Sequence, residues 1–184
     1  MLRLGLVVAA VAFALDQLSK WWLLVRVFRP QEGLSAGTFA GLMLRADDSL
    51  SQTFRIVTEV PPFFQLVLTW NRGVSFSFFR SDSPAAPWIF AAVALAICAG
   101  LATWLRQMER AWPALAVGLI IGGAIGNVAD RIRFKAVVDF LYFHWDSYYF
   151  PAFNLADSAI TVGVAMLLID GLFGRAEKAK KAPN

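Results

Sequence analysis

Four carboxylates in the second half of the chain, Asp130, Asp139, Asp146 and Asp157, stand beside apolar or helix-end sequence. Asp139 sits among apolar neighbours in Val137-Val138-Asp139-Phe140, and Asp157 closes Phe153-Asn154-Leu155-Ala156-Asp157. Two carboxyls that meet in partial burial can share one proton, because desolvation and mutual repulsion separate their apparent pKa values. Such a pair can deprotonate water and protonate a carbonyl oxygen or leaving amine, which is what peptide hydrolysis requires. Asp139 with Asp157 is one candidate pair, and Asp130 with Asp157 is another on composition alone. Capping is the competing account of Asp157: Asn154 is a good N-cap, and an acid three residues later completes a capping box at the positive end of a helix. The four acids could also hold a divalent cation against a phosphorylated lipid, but the doubled acidic motif of a membrane phosphoalcohol transferase is absent.

Other catalytic sets are poorly supplied. His144 has no serine or cysteine nucleophile in recognisable context, Cys98 lies within an apolar run, and neither G-x-S-x-G nor H-E-x-x-H occurs. One His and one Cys exclude the usual zinc sites and an internal disulfide. Further polar residues lie where they are expensive. Asp16 and Lys20 are four apart, acid before base, so they can pair on one helix face and brace a polar site between helices. Asn127 and Asp130 are three apart at the end of an apolar run, and Arg131 beside them can hold a carboxylate. Gly118, Gly122 and Gly126 recur every fourth residue, the stripe of a close helix contact.

The elements that must position these groups are membrane helices. Of the 184 residues 58% are hydrophobic and 16% charged, and the charges cluster rather than spread. A bilayer core about 30 Å thick takes roughly 20 apolar residues. Four runs qualify, at about 4–28, 85–105, 111–129 and 155–173 of a single integral membrane domain, 1–184. The first lacks a small-x-small cleavage site followed by a polar domain, so it reads as a span and not a removable leader. Arg106 and Arg110 in the short second loop, with Arg175, Lys178, Lys180 and Lys181 in the tail, put both termini in the cytoplasm by the positive-inside rule. The connections at about 29–84 and 130–154 then face outward, and the tail at 174–184 is expected to be cytoplasmic and disordered. The net charge of +4 reads as topology and implies no nucleic acid.

Phe64, Leu66, Leu68 and Trp70 alternate with Gln65, Val67, Thr69 and Asn71, a period of two that predicts a strand and a small outer sheet. Val74 to Phe79 is again aromatic-rich. Trp70, Trp88, Tyr142, Trp145, Tyr148 and Tyr149 fit an outer aromatic belt, and Trp104 and Trp112 an inner one. On these features alone, a carboxylate-based membrane hydrolase and an ion- or proton-coupled transport subunit are the two leading functions.

Five blocks in order resemble the bacterial lipoprotein signal peptidase family, also called signal peptidase II. They are Asp16-Gln17-Leu18-Ser19-Lys20-Trp21, Asn71-Arg72-Gly73-Val74-Ser75-Phe76, Gly122-Gly123-Ala124-Ile125-Gly126-Asn127-Val128-Ala129-Asp130-Arg131, Val137-Val138-Asp139-Phe140 and Phe150-Pro151-Ala152-Phe153-Asn154-Leu155-Ala156-Asp157-Ser158. The resemblance implies an intramembrane aspartic endopeptidase of the inner membrane, with four spans and a small periplasmic β-cradle. It would remove the signal peptide from diacylglyceryl-modified prolipoproteins, cutting before the lipid-modified cysteine. By motif position Asp139 and Asp157 match the catalytic pair. Asn71, Gly73, Asn127, Arg131 and Asn154 match polar residues around that pair and the substrate, and Asp16 and Lys20 match the first-helix pair. Asp130 is expected to stay ionised and structural, or to orient Arg131. Membrane lipids and the cyclic peptide antibiotic globomycin are implied partners; no metal or cofactor is implied. Two departures stand out: Val74 and Ser75 replace the family's usual small residues after the glycine, which could narrow the substrate groove, and the segment at about 29–60 is longer than usual.

Overall fold

α1 (Leu2–Trp22) is an apolar run whose charged and amide side chains beyond the first turn, Asp16, Gln17 and Lys20, are all buried, while Ser19 returns its hydroxyl to the Asp16 carbonyl at 2.7 Å. It leads into a π-helical turn, Leu23–Phe28. The computed structural model describes residues 1–28, 58–60, 63–73 and 84–180. The expectations for 29–57, including most of the long first connection, and for Val74 to Phe79 lie outside the described residues. After β1 (Thr58–Val60) and β2 (Phe64–Asn71) come α2 (Ala86–Leu105), α3 (Ala111–Phe134), β3 (Val137–Trp145), β4 (Tyr148–Tyr149) and α4 (Leu155–Lys180). Among the described residues four helices are long and apolar enough to cross a membrane, in agreement with the four runs read from the sequence. The chain is a mainly α, multi-pass membrane protein with a small sheet.

α3 is the central helix, packing along α1, α2 and α4. Its glycines permit this. A Cβ on Gly118 or Gly122 would collide with the Gly5 or Ala9 carbonyl of α1, and one on Gly123 with the Ala156 carbonyl of α4. The stripe is therefore a packing surface toward two helices at once. Gly100 on α2 has no such neighbour.

Two boundaries and one aromatic residue differ from expectation. α3 does not end near 129 but continues to Phe134, because Asp130 finds a cationic partner on α1 and the turn stays folded; Lys135 at φ 56° then closes it, its N–H reaching the Arg131 carbonyl at 3.0 Å. The outer connection accordingly begins only after Phe134, and not at residue 130. The tail is helical to Lys180, as its Ala, Glu and Lys content favours. Trp70 does not join a belt: it is half-buried and packs edge-on against Phe134, ring centroids 5.3 Å apart. Trp88, Trp145, Tyr148, Tyr149, Trp104 and Trp112 are exposed, as belt residues should be.

The sheet runs β1-β2-β3-β4 with antiparallel neighbours. Leu23, Leu24 and Val25 of the π-helical turn form one core with Leu68, Val138 and Phe140, which fixes the sheet against the end of α1. Between Leu66, opposite Leu141, and Thr69, opposite Asp139, β2 holds one extra residue, a bulge that buries both Val67 and Leu68. Beyond it, Asn71 pairs with Val137 beside Asp139.

Candidate active site

Two polar layers lie where α1, α3, α4 and the sheet meet. The deeper one starts from α1. Lys20 Nζ is 2.8 Å from Asp16 Oδ2 and 2.7 Å from Asp130 Oδ2, all three side chains almost fully buried. Gln17, which the sequence reading did not single out, ties the acids together: its Nε2 donates to Asp16 at 2.9 Å and Asp130 at 3.1 Å, while its Oε1 accepts from Arg133. A neutral polar residue beside Asp16 in an apolar span was the available signal. Asp130 Oδ2 also accepts the Val138 N–H at 3.2 Å, and Asp16 Oδ1 accepts the Ala156 N–H at 3.0 Å, so this layer holds the sheet and α4 in place. Both carboxylates thus meet Lys20 directly, and Arg133 reaches them only through Gln17.

The second layer contains Asp139 and Asp157. Asp139 is 1% exposed on β3; its Oδ1 accepts from Asn154 Nδ2 at 2.7 Å and its Oδ2 from Asn71 Nδ2 at 3.0 Å. Asn71 Oδ1 in turn accepts the Gly73 N–H at 3.1 Å, which brings Gly73 to the site edge. Asp157 Oδ1 accepts from Asn127 Nδ2 at 2.8 Å. The capping box forms as well: Asn154 Oδ1 accepts the Asp157 N–H at 2.9 Å and Asp157 Oδ2 accepts the Asn154 N–H at 3.3 Å. Capping and site membership are thus compatible, since Asn154 bridges the two acids. Desolvation, followed by the charge of Asp157, pushes the Asp139 carboxyl up to about 7 against the opposing effects of Asn71, Lys20 and Asn154.

The other acids fall elsewhere. Asp146 occupies the β3–β4 turn at φ 51°, and Asp130 is turned to Lys20. Arg131, expected to hold a carboxylate, is half-buried; its Nη1 donates to the Asn127 carbonyl at 3.3 Å and its guanidinium lies 5.6 Å from the Phe90 ring centre. The helical turn that accommodates Asp130 points the neighbouring side chain at α2 instead.

This arrangement has known counterparts. The family model for signal peptidase (SPase) II matches residues 8–173. A lipoprotein signal peptidase of Aeromonas hydrophila is 49% identical over 124 residues, 66% of this chain and 73% of that protein. One of Pseudomonas fluorescens is 45% identical over 130 residues, 69% and 76% of the two chains. Among solved structures, a bacterial membrane enzyme determined in meso at 2.3 Å superposes with a TM-score of 0.70 at 22% identity, covering 98% of this chain and 94% of that one. A second, at 1.9 Å, gives 0.64 at 22% identity, with 91% and 92% covered. These two support the fold, and the sequence matches support kinship across nearly the whole chain. On that ground the chain is a peptidase and belongs to the signal peptidase II family.

Proposed function

We propose that this chain is an aspartic endopeptidase that removes the signal peptide from diacylglyceryl-modified prolipoproteins, cutting before the lipid-modified cysteine. One observation carries the catalytic assignment: Asn154 binds both Asp139 and Asp157, and neither acid forms an ion pair among the described residues. A buried pair of acids held by amides is suited to share a proton. In this reading Asp157, facing N–H donors, takes a proton from water as the oxygen attacks the scissile carbonyl carbon. Asp139 gives its proton to the carbonyl oxygen. The resulting gem-diol collapses as Asp157 returns a proton to the leaving nitrogen and Asp139 recovers one from the hydroxyl, so the pair is restored. Asn71, Asn154 and Asn127 orient the carboxyls, while Gly73 and Arg131 border the substrate.

The same reading makes residues 1–184 one inner-membrane unit with cytoplasmic termini and a periplasmic site, because Arg106, Arg110 and the basic tail mark the opposite side. Membrane lipids surround it, and globomycin-type inhibitors compete for the site. Selectivity comes from acyl chains lying between helices while polar side chains hold the backbone around the modified cysteine. A gel-shift assay with lipid-modified and unmodified precursors tests this. The expected result is cleavage of the modified form only; equal turnover of both overturns the assignment.

A further inference from the structure

We propose that Lys20 is a positioning residue for the carboxyl pair and acts through the side chain of Asn127. The inference rests on the aspartic reading above and adds to it a residue that would otherwise be only a brace. Lys20 Nζ carries three protons. Two meet Asp16 and Asp130, and the third points to Asn127 Oδ1 at 3.4 Å, which also accepts from Asn154 Nδ2 at 3.3 Å. An amide side chain has two orientations that exchange its donor and acceptor ends. With two donors fixed on its oxygen, Asn127 can present only its NH2 to Asp157, where the contact is 2.8 Å. The flipped amide would set NH2 against an ammonium and carbonyl oxygen against carboxylate oxygen, two repulsions in a low-dielectric site. The ammonium therefore fixes, from the deeper layer, which end of Asn127 meets the reacting acid.

Other charged groups act here too. Asp16 on α1 and Asp130 on α3 neutralise Lys20, while Arg131 on α3 interacts electrostatically with Asp130, Asp157 and Asp139. Lys20 itself acts on Asp139 across the layer. Removing only Lys20 would strand two buried carboxylates, so the test removes charge in balance.

The double variant Lys20→Met/Asp130→Asn, made in the full chain, retains Asp16 and Arg133 as an opposed pair of charges. A positioning role predicts a fall in kcat of roughly tenfold to a hundredfold, the effect of losing a hydrogen bond to a charged group. KM should stay unchanged and the acidic limb of the pH profile should move to higher pH. Arg133→Gln, which loosens the same brace on the side away from Asn127, should leave that limb in place. A purely structural role predicts a wild-type pH profile for the double variant, or the same shift in both variants, and either overturns the proposal. If the double variant does not fold, Asn127→Asp replaces it: the new side chain still accepts from Lys20 but cannot donate to Asp157. Its kcat should fall with KM retained, and wild-type kcat would refute the relay. A wild-type chain that leaves lipid-modified precursor uncut refutes the functional reading instead. The relay is then read from the infrared titration of the carboxyl C=O band, whose midpoint the double variant must still raise.

Discussion

The two polar layers contain acids in equal number and treat them oppositely. Between α1 and α3, Asp16 and Asp130 meet the cations Lys20 and Arg133 directly or through Gln17, so the charges of the layer offset one another. Between β3 and the start of α4, the hydrogen bonds that Asp139 and Asp157 accept among the described residues come from amides. Amide donors orient a carboxyl and offset its desolvation only in part, whereas a buried ammonium at 2.7 Å sets a full opposite charge against it. In the proposed reading the acids of the first layer have a counter-ion, whereas the pair that exchanges protons has neutral donors. The contrast separates Asp130 from Asp139, which their sequence positions alone do not.

The largest effect should come from exchanging acids for amides in the two layers. Asp139→Asn and Asp157→Asn should each lower cleavage by about 10³-fold or more while the protein still folds, because each removes a proton-transferring group. Asp130→Asn should retain activity in the protein that folds and lower thermal stability, since breaking a buried ion pair costs up to roughly 3–5 kcal/mol. Cleavage by well-folded Asp139→Asn protein, with none by well-folded Asp130→Asn protein, would reassign the pair to Asp130 and Asp157 and dissolve the contrast.

A smaller effect should follow from crowding the compensated layer without touching its charges. A Cβ at Gly126 would stand 2.5 Å from Asp16 Oδ2 and 3.4 Å from the Ala156 Cβ. Gly126→Ala should therefore displace the Asp16 carboxylate and the start of α4, costing on the order of 1–3 kcal/mol. Gly100→Ala on α2, where nothing lies within 4 Å, is the matched control and should melt like the wild type. Equal melting temperatures for the two variants would mean that the layer is looser than its distances imply.

Much of this was legible in the sequence because membrane burial restricts where polar residues can stand. Asp16 and Lys20 at helical spacing, the glycine stripe and the Asn154–Asp157 box each use a local rule, and each appears in the structure. Non-local partners were harder to read. Arg133 meets Gln17 across 116 residues, and no spacing rule connects them. The end of α3 was misread for the same reason: Asp130 looks like a helix terminator until its partner on α1 is known. β3 was passed over although Val137–Trp145 is rich in β-branched and aromatic residues, because Asp139 interrupts its apolar pattern. That interruption is the acid proposed for the site.

The last prediction tests the amide-bound layer by pH. Asp139 has an ordinary value of 3.8 and is pushed up to about 7, chiefly by desolvation. The folded state therefore binds a proton that the unfolded state releases. Its contribution to stability is fully present below pH 3.8 and is lost as pH rises toward about 7. That interval corresponds to roughly 4 kcal/mol at full expression, an upper bound for a coupled site. Asp139→Asn removes this dependence at a fixed cost, because both Asp139 oxygens accept hydrogen bonds and an amide must turn its NH2 toward one of two NH2 donors. A mismatch of that kind costs about 1–3 kcal/mol. The variant should melt below the wild type at pH 4 and gain on it steadily up to about pH 7, where the two opposing terms become comparable. Melting curves of detergent-solubilised protein at several pH values measure the difference directly. A constant gap from pH 4 to 8 would show that Asp139 is ionised throughout, and the two layers would then differ in their partners but not in their charge.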